Sequence, residues 1–447
     1  VTATLTARST GDTVDEGTYR RAGEIYLTTH HFAENHDHPP LAKWLGALYP
    51  HYSGANTLAD YRYAHIAIYA LGGLLIALFL ASATGATAGA LFASMYFLDP
   101  NLKAMASLDV TDADVAVWLG GASVLLWGVW RSQRPRRDGY WMFFLQGLAA
   151  GTKITALLYL PFALFAAVRK RLGAWGCASG FLMALLIAYH LNLRELEWLA
   201  ASIGFQFKHN QAGQMSLFFG SYPPHGTPLF FAALYFLKLP LPLIALTLAG
   251  VGLAVREWRE FRGEWESFFL PAALIGLALS LAHVQLGFRY FLPALVLIEI
   301  GASLVIAMRA HSRVSQGAVL ALCVCLLGMD AWTLKSDSYL AYFNVLERAP
   351  TRDFCDSNND WGQGVPPWLR PPGALDAETL TAKQIAAVPE GKPVEILAGA
   401  SLLCASSRPE GSKLREYKPV RVFAGHELYE LSREDALGML AKLTRAR

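Results

Sequence analysis

The amino-acid sequence predicts an all-α polytopic membrane protein, with about ten transmembrane helices and a small C-terminal α/β extramembrane domain. Three observations carry this. Of 447 residues, 54% are hydrophobic and only 16% charged, with a mean hydropathy of +0.30, whereas soluble domains carry roughly 25% charge. Apolar runs long enough to cross a hydrocarbon layer recur from residue 63 to residue 334. Beyond Leu334 the composition turns polar.

A crossing helix needs about 20 apolar residues at 1.5 Å each to span roughly 30 Å. Tyr63–Ser82, Asp112–Trp130, Trp175–Leu193, Phe288–Met308 and Val314–Leu334 meet that length, and Pro240–Val255 and Ser267–Ala282 are shorter. Thr87–Leu98 is added because the topology needs it. Tyr140–Val168 is interrupted by Gly151-Thr152-Lys153 and by Pro161, so it reads as two short helices meeting near Lys153.

Charge tests the order of these crossings. With residues 1–60 outside, the inside loops are 131–139, 169–174, 256–266, 309–313 and a tight turn near Thr84, and four of the five carry clustered arginine. Short cytoplasmic loops are enriched in this way. The outside loops then hold Asp99, Asp109, Glu195, Glu197 and the histidines. The first outer loop covers 1–62 and the second large one 194–239. The chain opens at Val1 with no apolar run before Asp15, so a leader or first anchor is expected ahead of the residues present. The tail, 335–447, reads as an outer domain with two strand-like runs, VEILAGASLLCA and VRVFAGHELYELS, and a helix from Ser432 to about Arg445. Of the five cysteines, Cys355 and Cys404 lie in this tail, where an oxidising compartment permits a disulfide. Cys177, Cys323 and Cys325 read as small hydrophobes within crossings.

The formal charge of +3 gives no argument for nucleic acid. The outer ends of the crossings, however, collect ionisable groups. Asp15 and Glu16 precede a helical pattern, where acids are favoured by the helix dipole. Asp109, Asp112 and Asp114 cluster at the start of the third crossing, and capping accounts for one of them. Lys153, Lys238 and Arg289 all fall on the outer side, against the usual bias of basic residues. Single snorkelling cations are commonplace, but three together favour a shared anion, and a lipid phosphate fits. The run HHFAENHDH offers His30, His31, His36, Asp37 and His38, with His209 in a later loop. Imidazole with carboxylate suits zinc or manganese, yet the spacing matches no fixed motif, and hydrogen-bonding histidines are the plainer reading. The stretch DSNNDWGQG, 356–364, is either a structural loop or a lid.

DEGTYRRAGEIY followed by DHPPLAKWL resembles the first outer loop of protein O-mannosyltransferases and bacterial lipid A aminoarabinose transferases, both of the glycosyltransferase C (GT-C) superfamily. SLDVTDADVAVWL, GLAAGTKITALLYLP, KHNQAGQMSLFFGSYPPHGTPLFFAALYFLKLPLPL, GFRYFLPAL and YFNVLERAPTRDFCDSNNDWGQG resemble later landmarks in the same order. The resemblance implies a phospholipid carrier-dependent enzyme of a bacterial inner membrane, with its catalytic loops and C-terminal domain on the periplasmic face. It implies an inverting transfer from a polyprenyl-phosphate sugar to a hydroxyl-bearing acceptor (protein, lipid or glycan). Asp15 matches the catalytic acid, with Glu16 and Asp112 orienting it or the acceptor. His38, Lys43, Lys153, Lys238, Arg289 and Tyr290 are expected on the substrate side. No cofactor is required by the resemblance, which admits a divalent cation (zinc, manganese or magnesium) near Asp37, His38 and His209. A non-catalytic GT-C-like subunit with protein partners in a membrane complex is the competing reading. Transport is disfavoured because the charges gather at one face rather than at the midplane.

Overall fold

The computed structural model describes all residues except 132–134, 215, 337, 405–413, 415 and 445–447. Among the described residues, four helices are long and apolar enough to cross a membrane: Leu58–Thr84, Asp112–Arg131, Phe288–Arg309 and Arg313–Lys335. Ala86–Leu98, Ile154–Arg169 and Leu241–Arg256 are apolar but shorter. Of the about ten crossings expected, several of them short, four are clear spans among the described residues.

Two breaks explain part of the difference. The expected crossing Trp175–Leu193 ends early, because helix Ala174–Ala188 is followed by His190 and Leu191 at φ 49° and 60°. Left-handed backbone is unfavourable for residues with a Cβ, so its surroundings hold it there. The Trp44 indole donates to the Ala188 carbonyl at 3.0 Å, and Asn192 caps the next turn through Arg194 N–H. The chain then leaves at 101° as helix Glu197–Ala212. The second break falls where the glycine and proline signals place it. Helix Pro135–Thr152 stops, Lys153 is extended (φ −151°, ψ 132°), and a 3-10 turn leads into Leu160–Arg169.

The central helix Leu292–Arg309 is buried along most of its length, with Leu292, Leu295, Val296, Ile300 and Leu304 fully enclosed. Proline at its first turn leaves an N–H unneeded. The first outer loop is not irregular: it folds into helices Thr2–Ser9, Glu16–Thr29 and Leu41–Ser53.

The tail forms a four-stranded sheet of β1 (Leu375–Asp376), β2 (Val394–Gly399), β3 (Arg421–Phe423) and β4 (His426–Leu431), ordered β1-β2-β4-β3. β1 pairs parallel to β2, and the other pairings are antiparallel. The second expected strand is thus a hairpin. Ala424 and Gly425, at φ 47° and 74°, form a two-residue turn of the kind hairpins favour. Helices Ala382–Ala387 and Arg433–Thr444 cover one face over Ile396, Ala398 and Tyr429. The expected end of the last helix, Arg445, lies outside the described residues. The sheet meets the loop 356–364 closely. A Cβ on Gly425 would stand 2.3 Å from the Asn359 carbonyl oxygen, and one on Gly399 would stand 2.2 Å from the Asp360 carboxylate.

Candidate active site

The site assembles at the N-terminal ends of two long helices. Helix Asp112–Arg131 begins at Asp112, where a carboxylate is favoured by the dipole. The 3-10 turn Phe288–Phe291 sets Arg289 just ahead of the central helix. Lys153 reaches in from its break, and its Nζ lies 2.6 Å from Asp112 Oδ1. Arg289 Nη1 stands 3.7 Å from Asp112 Oδ2 and 3.5 Å from Asp15 Oδ2. Tyr290 joins the two cations, its ring facing Lys153 Nζ at 4.4 Å and the Arg289 guanidinium at 5.2 Å. Asp15, Asp112, Lys153, Arg289 and Tyr290 therefore come together from four separate parts of the chain.

Asp15 ends the loop before helix Glu16–Thr29 without capping it through its side chain. Its carboxylate is about one-third exposed and lines a cavity of about 450 Å³. Burial raises the Asp15 pKa above the ordinary carboxylate value, while Arg289 pulls it back. Asp37, His38, His209, Arg289 and Tyr290 share that cavity wall. Burial, followed by the charges of Lys153, Lys43 and Arg289, holds the His38 pKa well below its usual value, so the ring is neutral.

Three expected site residues do not line that cavity. Glu16 is fully buried and does not face the cavity. It binds Arg62 through both oxygens (2.6 and 2.7 Å) and accepts the N–H groups of Thr13 (2.9 Å) and Asp109 (2.8 Å). A buried guanidinium needs that many acceptors, and Arg62 also donates to the carbonyls of Ala7, Thr10 and Gly11. Glu16 thereby fixes the backbone just ahead of Asp15 and ties it to the segment at Asp109. Lys43 is enclosed by the carbonyls of Asn35 and His38 and by Asp37. It ties down the histidine-rich loop, and burial lowers its pKa to about 8, against the raising effect of Asp37. Lys238 donates to the carbonyls of Leu340 (2.8 Å) and Asn358 (2.6 Å), supporting the 356–364 loop from behind.

The expected metal set is not assembled. Asp37, His38 and His209 line one cavity, but no group of three or more His, Cys, Asp or Glu side chains converges to hold a metal among the described residues. His209 Nε2 instead meets Gln214 Oε1 at 3.1 Å, and Asp37 Oδ1 accepts the His38 N–H at 2.9 Å.

Other wall residues were not singled out from sequence. The Arg289 guanidinium lies over the Trp361 ring, its carbon 3.7 Å from the ring centroid. The Trp361 carbonyl accepts the Val14 N–H at 2.9 Å, one residue before Asp15. Asp360 faces the cavity and accepts from Ser401, while Gln206 donates to the Asp37 carbonyl at 2.8 Å. The 356–364 stretch is thus a buried wall carrying the residue whose ring faces Arg289, and its tryptophan beside acids and amides was the available signal. Cys355 and Cys404 are disulfide-bonded and line the same cavity.

No family model and no curated protein sequence matches the chain. Among solved structures, ArnT from Cupriavidus metallidurans in the apo state is similar with a TM-score of 0.54 at 16% identity, covering 77% of this chain and 64% of that one. The match thus spans under two thirds of that ArnT chain. ArnT from Cupriavidus metallidurans bound to undecaprenyl phosphate gives a TM-score of 0.52 at 12% identity, covering 96% of this chain and 95% of that one. Likeness at these identities speaks for the fold, and the chain shares its fold with these ArnT structures.

Proposed function

We propose that this chain is an inverting glycosyltransferase that moves a hexosyl or pentosyl group from a polyprenyl-phosphate donor to a hydroxyl acceptor, on the periplasmic face of a bacterial inner membrane. The observation that carries the reading is the meeting of Asp15 and Arg289 on one cavity wall, with Asp112 behind Arg289 and Lys153 paired to Asp112. The fold shared with an ArnT that was crystallised with undecaprenyl phosphate supports the donor class.

In this mechanism Asp15 is the general base. It accepts the proton of the acceptor hydroxyl as that oxygen bonds to the anomeric carbon, and the bond from that carbon to the phosphate oxygen breaks with its electron pair. The leaving polyprenyl phosphate gains negative charge, which Arg289 meets from the cavity wall with Lys153 behind it. Preplaced cations of this kind stabilise charge without reorganising. Because phosphate is a competent leaving group, one carboxylate suffices, unlike the pair a glycosidase needs. A carboxylate whose pKa is raised by burial is a stronger base than a solvated one. Asp112 orients the cations rather than touching the acceptor.

The test incubates the purified protein with a panel of polyprenyl-phosphate sugars and measures release of polyprenyl phosphate. Turnover lost in Asp15→Asn supports the reading. Stable, stoichiometric copurification with partner proteins and no turnover of any donor would replace it with a non-catalytic subunit.

A further inference from the structure

A second cavity lies at the far end of helix Asp112–Arg131, some 20 residues or about 30 Å from Asp112. It measures about 470 Å³ and is lined by Trp130, Arg131, Phe165, Arg169, Lys170, Arg262, Gly263 and Glu266. Four basic side chains thus face one acidic one. Three of the four are already partly engaged. Arg131 pairs with the buried Glu264 at 2.7 Å, Arg262 pairs with Glu266 at 2.7 Å, and Lys170 donates to the Trp130 carbonyl at 2.9 Å. Arg169 has no hydrogen bond or ion pair with any described residue. Counting Glu264 with the lining, four positive and two negative groups leave a formal charge of +2.

Two aromatic rings complete the wall, with Trp130 and Phe165 centroids 6.2 Å apart. The Trp130 indole N–H is buried and finds no acceptor among the described residues. Such a donor is costly to leave without a partner. Positive charge alone would satisfy the ordinary bias of inner loops. A concave site with an uncommitted guanidinium and an aromatic rim asks for more than that.

We propose that this cavity binds the phosphate of an anionic phospholipid headgroup, on the membrane face opposite the Asp15 cavity. Arg169 and Lys170 supply charge to the phosphate, and Phe165, exposed by half its surface, lies along the acyl chains. Basic pockets between transmembrane helices recognise phosphate headgroups in this manner. The proposal does not depend on the transferase reading, since none of these residues belongs to the Asp15 cavity.

The experiment measures thermal stabilisation of the detergent-purified chain during titration with short-chain phosphatidylglycerol, short-chain phosphatidylcholine or inorganic phosphate. Phosphatidylglycerol is expected to raise the melting temperature saturably, and phosphatidylcholine to leave it unchanged. Arg169→Gln should raise the apparent Kd about fivefold, and the double change with Lys170→Gln about 25-fold. Glu266→Gln, which removes the negative charge from the wall, should lower it. This opposite sign guards against a loss caused by misfolding alone. Inorganic phosphate saturating at the same concentration as the lipid would assign the site to a soluble phosphate and overturn the lipid. Equal stabilisation by both lipids, or by lipid in wild type and double variant alike, would overturn the site itself.

Discussion

The two ends of helix Asp112–Arg131 hold cations under opposite conditions. At the Asp112 end the side chains of Lys153 and Arg289 are 4% and 6% exposed, wedged among carboxylates and aromatic faces. At the Arg131 end, Arg131 and Arg262 are 49% and 69% exposed, and water shares the work of their partners. A buried charge is positioned by its neighbours, and removing one neighbour strands it. An exposed charge is screened and loses little when a partner goes. Chemistry that needs a fixed cation belongs at the first end, and reversible headgroup capture at the second.

The sharpest way to break this contrast is Asp15→Asn. Transfer should fall about 10²- to 10⁴-fold, the usual contribution of a general base, while the melting temperature and membrane insertion hold. Full activity in that variant would remove Asp15 from the mechanism. Next comes Glu16→Ala, which leaves Arg62 buried without its carboxylate. A loss of about 3–5 kcal/mol is expected, read by denaturant or thermal unfolding in detergent. Trp361→Leu should weaken donor binding about 2- to 30-fold by removing the ring face beside Arg289, and should also lower the melting temperature because Trp361 is buried in the core. Unaltered donor affinity would make Trp361 packing only.

A pH profile refines the same comparison. Asp15 works deprotonated and burial raises its pKa, so transfer should fall in acid with a midpoint above the value near 4 of a free aspartate. Arg289 lowers that pKa, so Arg289→Gln should move the acid limb further up. A limb that stays in place would mean another group titrates. The smallest effect belongs to the exposed end, where Arg262→Gln should leave thermal stability within experimental scatter.

Much of the site was legible because its residues sit in ordered motifs. Asp15, Lys153 and Arg289 stand out as charges at helix ends or breaks, and the break at Gly151-Thr152-Lys153 is written in its residues. Glu16 illustrates what local sequence conceals. It adjoins Asp15, yet its partner Arg62 lies 46 residues on, and nothing in a linear pattern marks a guanidinium that will be buried. Lys43 and Lys238 mislead in the same way, since a lysine that ties backbone carbonyls reads like one that awaits a phosphate. The bend at His190 and Leu191 was hidden because an apolar run carries no mark of a left-handed turn imposed by the neighbouring Trp44. The hairpin in the tail was more available, as Ala424-Gly425 holds the glycine that such turns favour.

The Cys355–Cys404 bridge joins segments 49 residues apart, and its consequence concerns how the donor of the proposed reaction would get in. The bridge makes the Trp361 wall and the Ser401 wall one covalent piece, so these two sides cannot spread to admit a guest. Widening falls to the rim held by hydrogen bonds alone, such as that from Gln206 to the Asp37 carbonyl, where Phe205, Gln206 and His209 ride on the helix that departs at 101° from its predecessor. The doorway and the hinge post are thereby separate parts of the chain.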